Sequence, residues 1–188
     1  MNENTLLCYV KLFNNCNYYI YDINNLSIYF DYFNIQTLIF ININTLQILP
    51  KLDNFHNLEY LYCDNNKLKY LPNLDYLTNL IILSCENNKL EYLPNLDKCI
   101  NLKILKCNNN NLYKLPKLLN LNKLETLICN NNYLYDIPNL ENCKILNILN
   151  FENNNVLQIP NVYKYSYLSY LNYNNNKLIT KKKLKIKK

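Results

Sequence analysis

Glycine is absent from all 188 residues, and so are alanine, arginine and tryptophan. Without glycine there can be no glycine-rich loop of the kind that cradles phosphates. Any turn that needs a positive φ must then fall to asparagine, the next most tolerant residue. Histidine occurs once, at His56, beside no cysteine or carboxylate cluster. No Ser-His-Asp or Cys-His set can be assembled without it, so it reads as a surface residue. On the concave face no paired carboxylates at close spacing are expected. The chain is therefore expected not to be an enzyme and to need no metal or other cofactor. No segment approaches the roughly 20 apolar residues that span a bilayer. The start, 1–13, lacks a basic region, and Lys11 interrupts its short apolar run, so no signal peptide is expected and a cytoplasmic location is. On that expectation the glycosylation-type triplet Asn25-Leu26-Ser27 carries no weight. The missing residue types are largely those with GC-rich codons, which points to an AT-rich genome.

Asparagine, lysine, isoleucine, leucine and tyrosine fill the space. The six prolines, Pro50, Pro72, Pro94, Pro116, Pro138 and Pro160, are each separated by 22 residues. A fixed period in this range is the mark of a solenoid whose units stack only on their neighbours. One unit reads Leu80-x-x-Leu83-x-Cys85-x-x-Asn88-x-Leu90-x-x-Leu93-Pro94-x-Leu96-x-x-Cys99. Further copies start at Leu58, Leu102, Leu124 and Leu146, with a degenerate one at Gln36 and a truncated one at Leu168.

This pattern resembles the leucine-rich repeat family, in its 22-residue class, whose LxxLxLxxNxL core is carried almost intact. In composition the chain is similar to the leucine-rich repeat proteins of giant DNA viruses of amoebae. The resemblance implies a curved solenoid, mostly β with irregular or 3-10 turns on the convex side, of the α/β-type layout. It also implies a non-enzymatic module that binds a protein partner. The expected organisation is an N-terminal cap over 1–35, repeats over 36–180 and a basic tail over 181–188. Phe30 and Phe33 align with the last apolar positions of a preceding unit, and a cap would shield the first unit's core and strand edge.

Within each unit, positions 3–7 are expected to hold a short strand, stacked in parallel about 4.8 Å from the next, so that seven units give a sheet of roughly 30 Å. Alternation sends positions 4 and 6 inward and positions 3, 5 and 7 out onto the concave face. The Leu/Ile-Pro step then carries the chain across the convex side. At position 9 stands a column, Asn44, Asn66, Asn88, Asn110, Asn132, Asn154 and Asn176. These amides are expected to satisfy turn backbone groups of adjacent units.

Of the eight cysteines, Cys63, Cys85, Cys107 and Cys129 share position 6, and Cys99 and Cys143 share position 20. Both are core slots. One thiol per strand cannot wrap a tetrahedral ion, no CxxC pair exists, and parallel side chains fit the disulfide dihedral poorly. The six are expected to be buried, reduced thiols acting as small hydrophobes. Cys8 and Cys16 are uninformative.

The concave face carries the functional expectation. Position 3 holds Leu38, Tyr60, Ile82, Ile104, Thr126, Ile148 and Tyr170, and position 5 holds Phe40, Tyr62, Ser84, Lys106, Ile128, Asn150 and Asn172. Position 7 adds Asp64, Glu86 and Glu152 with Asn108, Asn130 and Asn174. A continuous exposed apolar column marks an interaction site, although β-branched residues also favour strands for their own reasons. The expected contact core is Tyr60, Tyr62, Ile82, Ile104, Ile128 and Ile148, with Asp64, Glu86 and Lys106 setting register. The chain is expected to act as a monomer.

The net charge of +6 is unevenly placed, because residues 177–188 hold seven lysines and no acid. The rest of the chain is near neutral. A lysine tail is either a solvated terminus or a means of reaching nucleic acid or an anionic membrane. Two apolar residues, Leu184 and Ile186, are too few for membrane insertion, and no aromatic interleaves with the lysines to stack on bases. Their alternation with lysine also suits a short, protected edge strand.

Overall fold

The computed structural model describes residues 8–12, 17–20, 35–43, 45–161 and 165–179, the first two segments as backbone alone. Among the described residues nine strands form one sheet: β1 (Cys8–Leu12), β2 (Asn17–Ile20), β3 (Ile35–Ile39), β4 (Tyr60–Tyr62), β5 (Ile82–Ser84), β6 (Ile104–Lys106), β7 (Thr126–Ile128), β8 (Ile148–Asn150) and β9 (Tyr170–Asn172). The spatial order is β2-β1-β3-β4-β5-β6-β7-β8-β9. From β3 to β9 every pairing is parallel and in register, so Leu61, Leu83, Leu105, Leu127, Leu149 and Leu171 stack in one row. β1 lies antiparallel on β3, with Val10 opposite Leu38, and β2 lies antiparallel on β1.

The repeat explains each turn of the coil. Leu61, Leu83, Leu105, Leu127 and Leu149 are fully buried, and the next inward slot holds the buried Cys63, Cys85, Cys107, Cys129 and Phe151. After the strand the chain must reverse, and here the missing glycine is answered by asparagine. Asn65, Asn87, Asn109, Asn131, Asn153 and Asn175 all hold φ between 52° and 56°. Their side chains form an outer ladder: Asn153 Nδ2 donates to Asn131 Oδ1 at 2.7 Å, and Asn131 Nδ2 to Asn109 Oδ1 at 2.6 Å.

The next residue of each unit turns inward. Asn88 Oδ1 accepts the Leu68 N–H at 3.0 Å, while its Nδ2 reaches the carbonyls of Cys63, Cys85 and Glu86. Asn66, Asn110, Asn132, Asn154 and Asn176 repeat this arrangement. On the convex side no helix forms among the described residues. The chain crosses there in single turns, such as Leu77 N–H to Leu74 O at 2.9 Å and Leu80 N–H to Leu77 O at 3.1 Å. Asn73, just after Pro72, accepts the Asp75 N–H at 3.0 Å and fixes the direction of that turn.

The first unit differs from the expectation. Its strand partners are Thr37↔Tyr60, Leu38↔Leu61 and Ile39↔Tyr62, so Ile35, not Gln36, is equivalent to Leu58. Leu38 and Phe40, expected on the concave face, are therefore fully buried core residues. Thr37 and Ile39 stand in the outward places instead. The physical reason is an extra residue between Ile43 and Leu46. Asn42 takes the positive φ of Asn65, whereas Leu46 O already pairs with Lys67 N–H as Leu68 O pairs with Lys89 N–H. Ile43 thus fills the column position. Asn44 lies outside the described residues, and the described column runs from Asn66 to Asn176. The expectations for 1–34 side chains, for Cys8 and Cys16, and for the tail from Thr180 on also lie outside them.

Candidate partner-binding surface

The outward strand positions line up as expected from Tyr60 onward. One row is Tyr60, Ile82, Ile104, Thr126, Ile148 and Tyr170, and the next is Tyr62, Ser84, Lys106, Ile128, Asn150 and Asn172. Tyr60, Tyr62, Ile82, Ile104, Ile128 and Ile148 are all half-buried, each shielded on its flanks by the strands beside it. Burial raises the phenol of Tyr60, as does the neighbouring Glu59. Burial likewise raises Tyr62, helped by Tyr60 and Asp64. Both tyrosines are therefore neutral donors at ordinary pH.

Beside the apolar rows lies a polar cluster. Asp64 Oδ1 accepts the Ser84 hydroxyl at 2.8 Å and the Glu86 N–H at 2.7 Å. Lys106 Nζ lies 3.6 Å from Glu86 Oε1, and Asn108 Nδ2 donates to Glu86 Oε2 at 3.0 Å. Burial pushes the Asp64 carboxyl up, and the proximity of Glu86 adds to this. The bonds from Ser84 and the Glu86 N–H, and the charge of Lys106, work the other way. Asp64, Glu86 and Lys106, expected to set register, are thus brought into one group, which corrects the expectation of no closely spaced carboxylates on this face: in-register strands set Asp64 and Glu86 side by side around Ser84. Sequence reasoning placed Ser84 and Asn108 on the same face but did not foresee that they would be bonded into that group.

The cysteines expected in the core are there. Cys63, Cys85, Cys99, Cys107, Cys129 and Cys143 are free and buried. Cys63 Sγ lies 3.3 Å from Ser84 O and Cys85 Sγ 3.4 Å from Lys106 O, so each thiol leans on the next strand. Burial raises all six thiols, Cys99 to about 12 and Cys143 to about 11. Among the described residues no three His, Cys, Asp or Glu groups converge as a metal site. His56 sits edge-on to the Tyr76 ring, 5.9 Å between centroids, on the convex side.

A second exposed apolar row was not foreseen. Tyr113, Tyr135, Leu157 and Ile179 follow one another just past the asparagine turn, and Tyr133 stacks on Tyr113 at 5.8 Å. The cue was position 12, where the later units replace Gln47, Lys69 and Glu91 by apolar residues.

Solved structures with this architecture are leucine-rich repeat proteins. This is the leucine-rich repeat fold. A leucine-rich repeat protein of Leptospira interrogans superposes with a TM-score of 0.67 at 35% identity, over 72% of this chain and 36% of that one. YopM, a leucine-rich effector protein from Yersinia pestis, gives 0.62 at 30% identity, over 71% of this chain and 42% of that one. The leucine-rich repeat ectodomain of the Arabidopsis thaliana membrane receptor kinase GASSHO1/SCHENGEN3, seen in complex with Casparian strip integrity factor 2, gives 0.68 at 28% identity, over 77% of this chain and 19% of that one. The chain spans well under half the length of each of these relatives. No protein-family model matches the sequence, and no curated protein does. No helix among the described residues is long and apolar enough to cross a membrane.

Proposed function

We propose that the array is a non-enzymatic protein-recognition module that binds its partner through the concave face. The observation that carries this reading is the run of half-buried outward side chains, Tyr60, Ile82, Ile104, Thr126 and Ile148, set at strand spacing on a rigid sheet. Such a surface offers large apolar contact with little ordering cost, because the backbone of each strand is already fixed by its neighbours. Tyrosines at one end add neutral hydrogen-bond donors and amphipathic contact area. A similar ectodomain, seen in complex with Casparian strip integrity factor 2, supports the use of this fold for recognition. In this reading the module works as a monomer in the cytoplasm, that of the host if the source is a giant virus, and 1–35 with its β1–β2 pair serves as the N-terminal cap.

The test is capture of a partner by the wild-type chain and by a Tyr60→Glu/Ile104→Glu double variant, after both are checked for folding. Both side chains point away from the core, so the variant should keep its unfolding midpoint. Capture by wild type alone supports the reading, and equal capture by both removes it. In that second case a chain ending before Lys181 tests whether the lysine tail, directed to nucleic acid or anionic lipid, is the binding element.

A further inference from the structure

One flank of the coil, just past the asparagine turn, carries exposed tyrosines and lysines side by side. Leu68, Leu90, Leu112 and Leu134 are fully buried there, so the residues on either side of each turn outward. Backbone bonds lock the coils in register along this flank: Lys89 N–H to Leu68 O, Asn111 N–H to Leu90 O and Tyr133 N–H to Leu112 O, each at 2.9 Å. Four successive coils present an exposed ring, namely Tyr70, Tyr92, Tyr113, and Tyr133 with Tyr135. Tyr113 and Tyr133 stack with their planes 26° apart, so rings on adjacent coils stand nearly parallel. Lys67, Lys69, Lys89 and Lys114 are exposed among these rings, against the two acids Glu91 and Asp136. None of these lysines is ion-paired among the described residues, where the two ion pairs, Lys103–Glu125 and Lys106–Glu86, lie at β6. Lys177 and Ile179 continue the flank, and six further lysines follow within 181–188. The aromatic residues that the lysine tail lacks thus stand on the surface that leads to it.

We propose that this flank binds single-stranded nucleic acid, with bases stacked on the tyrosine rings and phosphates set against the lysines. The surface is separate from the concave face and does not depend on that reading. A single strand presents flat π-faces along a chain of negative charge, and the flank offers bare rings among unpaired ammonium groups. The first and last rings are three coils apart, about 15 Å at strand spacing, so one strand can follow all of them. A duplex keeps its base faces stacked inside and offers the rings nothing. An acidic protein segment would satisfy the lysines and leave the rings without flat partners.

A 5′-labelled thymidine dodecamer serves as the probe, read by fluorescence polarisation with the full chain at low salt. Tyr92→Ala/Tyr113→Ala should weaken its binding by roughly tenfold or more, as for loss of base–aromatic stacking. Lys67→Gln/Lys89→Gln should weaken it too, and should lower the slope of log affinity against log salt by about 1.4, as for two phosphate contacts to a single strand. Ile100→Ala, exposed on the convex side, should change nothing. An abasic dodecamer should bind wild type roughly tenfold less tightly than the thymidine strand, a comparison that stands whether or not the variants fold. Binding unchanged by the tyrosine pair would place it on the lysine tail alone and overturn the proposal. Equal affinity for the abasic strand, or for a twelve-residue glutamate peptide, would mark a surface that reads charge only and would overturn it as well. Capture of phosphatidylserine vesicles without the dodecamer, or no binding of the dodecamer at low salt, would do the same.

Discussion

Asn88 bridges two coils of the solenoid: its Oδ1 takes the Leu68 N–H at 3.0 Å and its Nδ2 reaches Cys63 O at 2.9 Å, both in the preceding unit. The same amide also ties down Cys85 O and Glu86 O of its own unit. One side chain therefore satisfies backbone groups that the turn withdraws from both water and the sheet. Because each unit from Leu58 onward repeats the device, the asparagine column sets the spacing of the coil on that side.

Removing a member from the middle of the column should be costly. Asn110→Ala orphans the Leu90 N–H and removes one of the two asparagine donors from each of the carbonyls of Cys85 and Cys107, which keep Asn88 and Asn132. The orphaned N–H costs about 1–3 kcal/mol and each bond lost at a carbonyl about 0.5–1.5 kcal/mol, so a total loss of about 3 kcal/mol is expected. Asn110→Asp should do no better, since a carboxylate accepts but cannot donate to the carbonyls. Urea unfolding of both variants against wild type measures this.

The outer asparagines behave differently. Asn131 sits at φ 54° and its side-chain bonds are exposed. What the backbone requires there is tolerance of the left-handed region, not the amide. Asn131→Gly should thus stay within about 0.5 kcal/mol of wild type, and Asn131→Val should lose about 1–2 kcal/mol. A comparison of the two unfolding midpoints separates conformational demand from hydrogen bonding. If both substitutions cost the same, the amide ladder matters and the φ argument fails.

The repeats from Leu58 onward were legible because three signals agree: the proline period, the leucine spacing and the asparagine at position 9. In the first unit they disagree. Counting back from Pro50 makes Gln36 the start, while the apolar spacing Ile35-x-x-Leu38-x-Phe40 matches the strand motif one residue earlier. Burial decides between them, since the proline governs only the convex crossing and the strand register is set by which face enters the core. The concave rows followed from alternation alone. The Asp64–Ser84–Glu86–Lys106–Asn108 bonding did not, because it depends on rotamers chosen between neighbouring strands. No spacing in the sequence records those choices.

That register has a direct test. Leu38 is fully buried, whereas Ile39 occupies the outward place beside Tyr62. Leu38→Ala is expected to lose about 2–5 kcal/mol, as for other buried leucines, and Ile39→Ala less than about 1.5 kcal/mol. The opposite order in thermal or urea unfolding would return the first unit to a Gln36 start.

The buried thiols impose a pH limit. In the folded chain Cys99 is pushed up to about 12 and Cys143 up to about 11, both from an ordinary value of 9.0 and chiefly by burial. Below pH 9 both are neutral whether the chain is folded or not, and their contribution to stability is complete. Above it the unfolded chain releases protons that the folded one keeps, so stability falls as pH rises through the folded values. The slope is about 1.4 kcal/mol per pH unit for each thiol in this window. Cys143→Ala should lower stability at pH 7 through the lost packing, yet flatten the decline between pH 9 and pH 11. Urea midpoints at pH 7, 9, 10 and 11 for wild type and variant give both effects at once. Lysine and most tyrosine ionisation acts on both chains alike; Tyr165, whose phenol Cys143 helps to raise, is replaced by Phe in both, so the difference between the two slopes isolates the thiol. Parallel slopes would mean that the Cys143 sulfur is open to water in the folded chain. A thiol reagent at pH 8 gives the matching kinetic result: Cys143 should react only at the rate at which the coil opens.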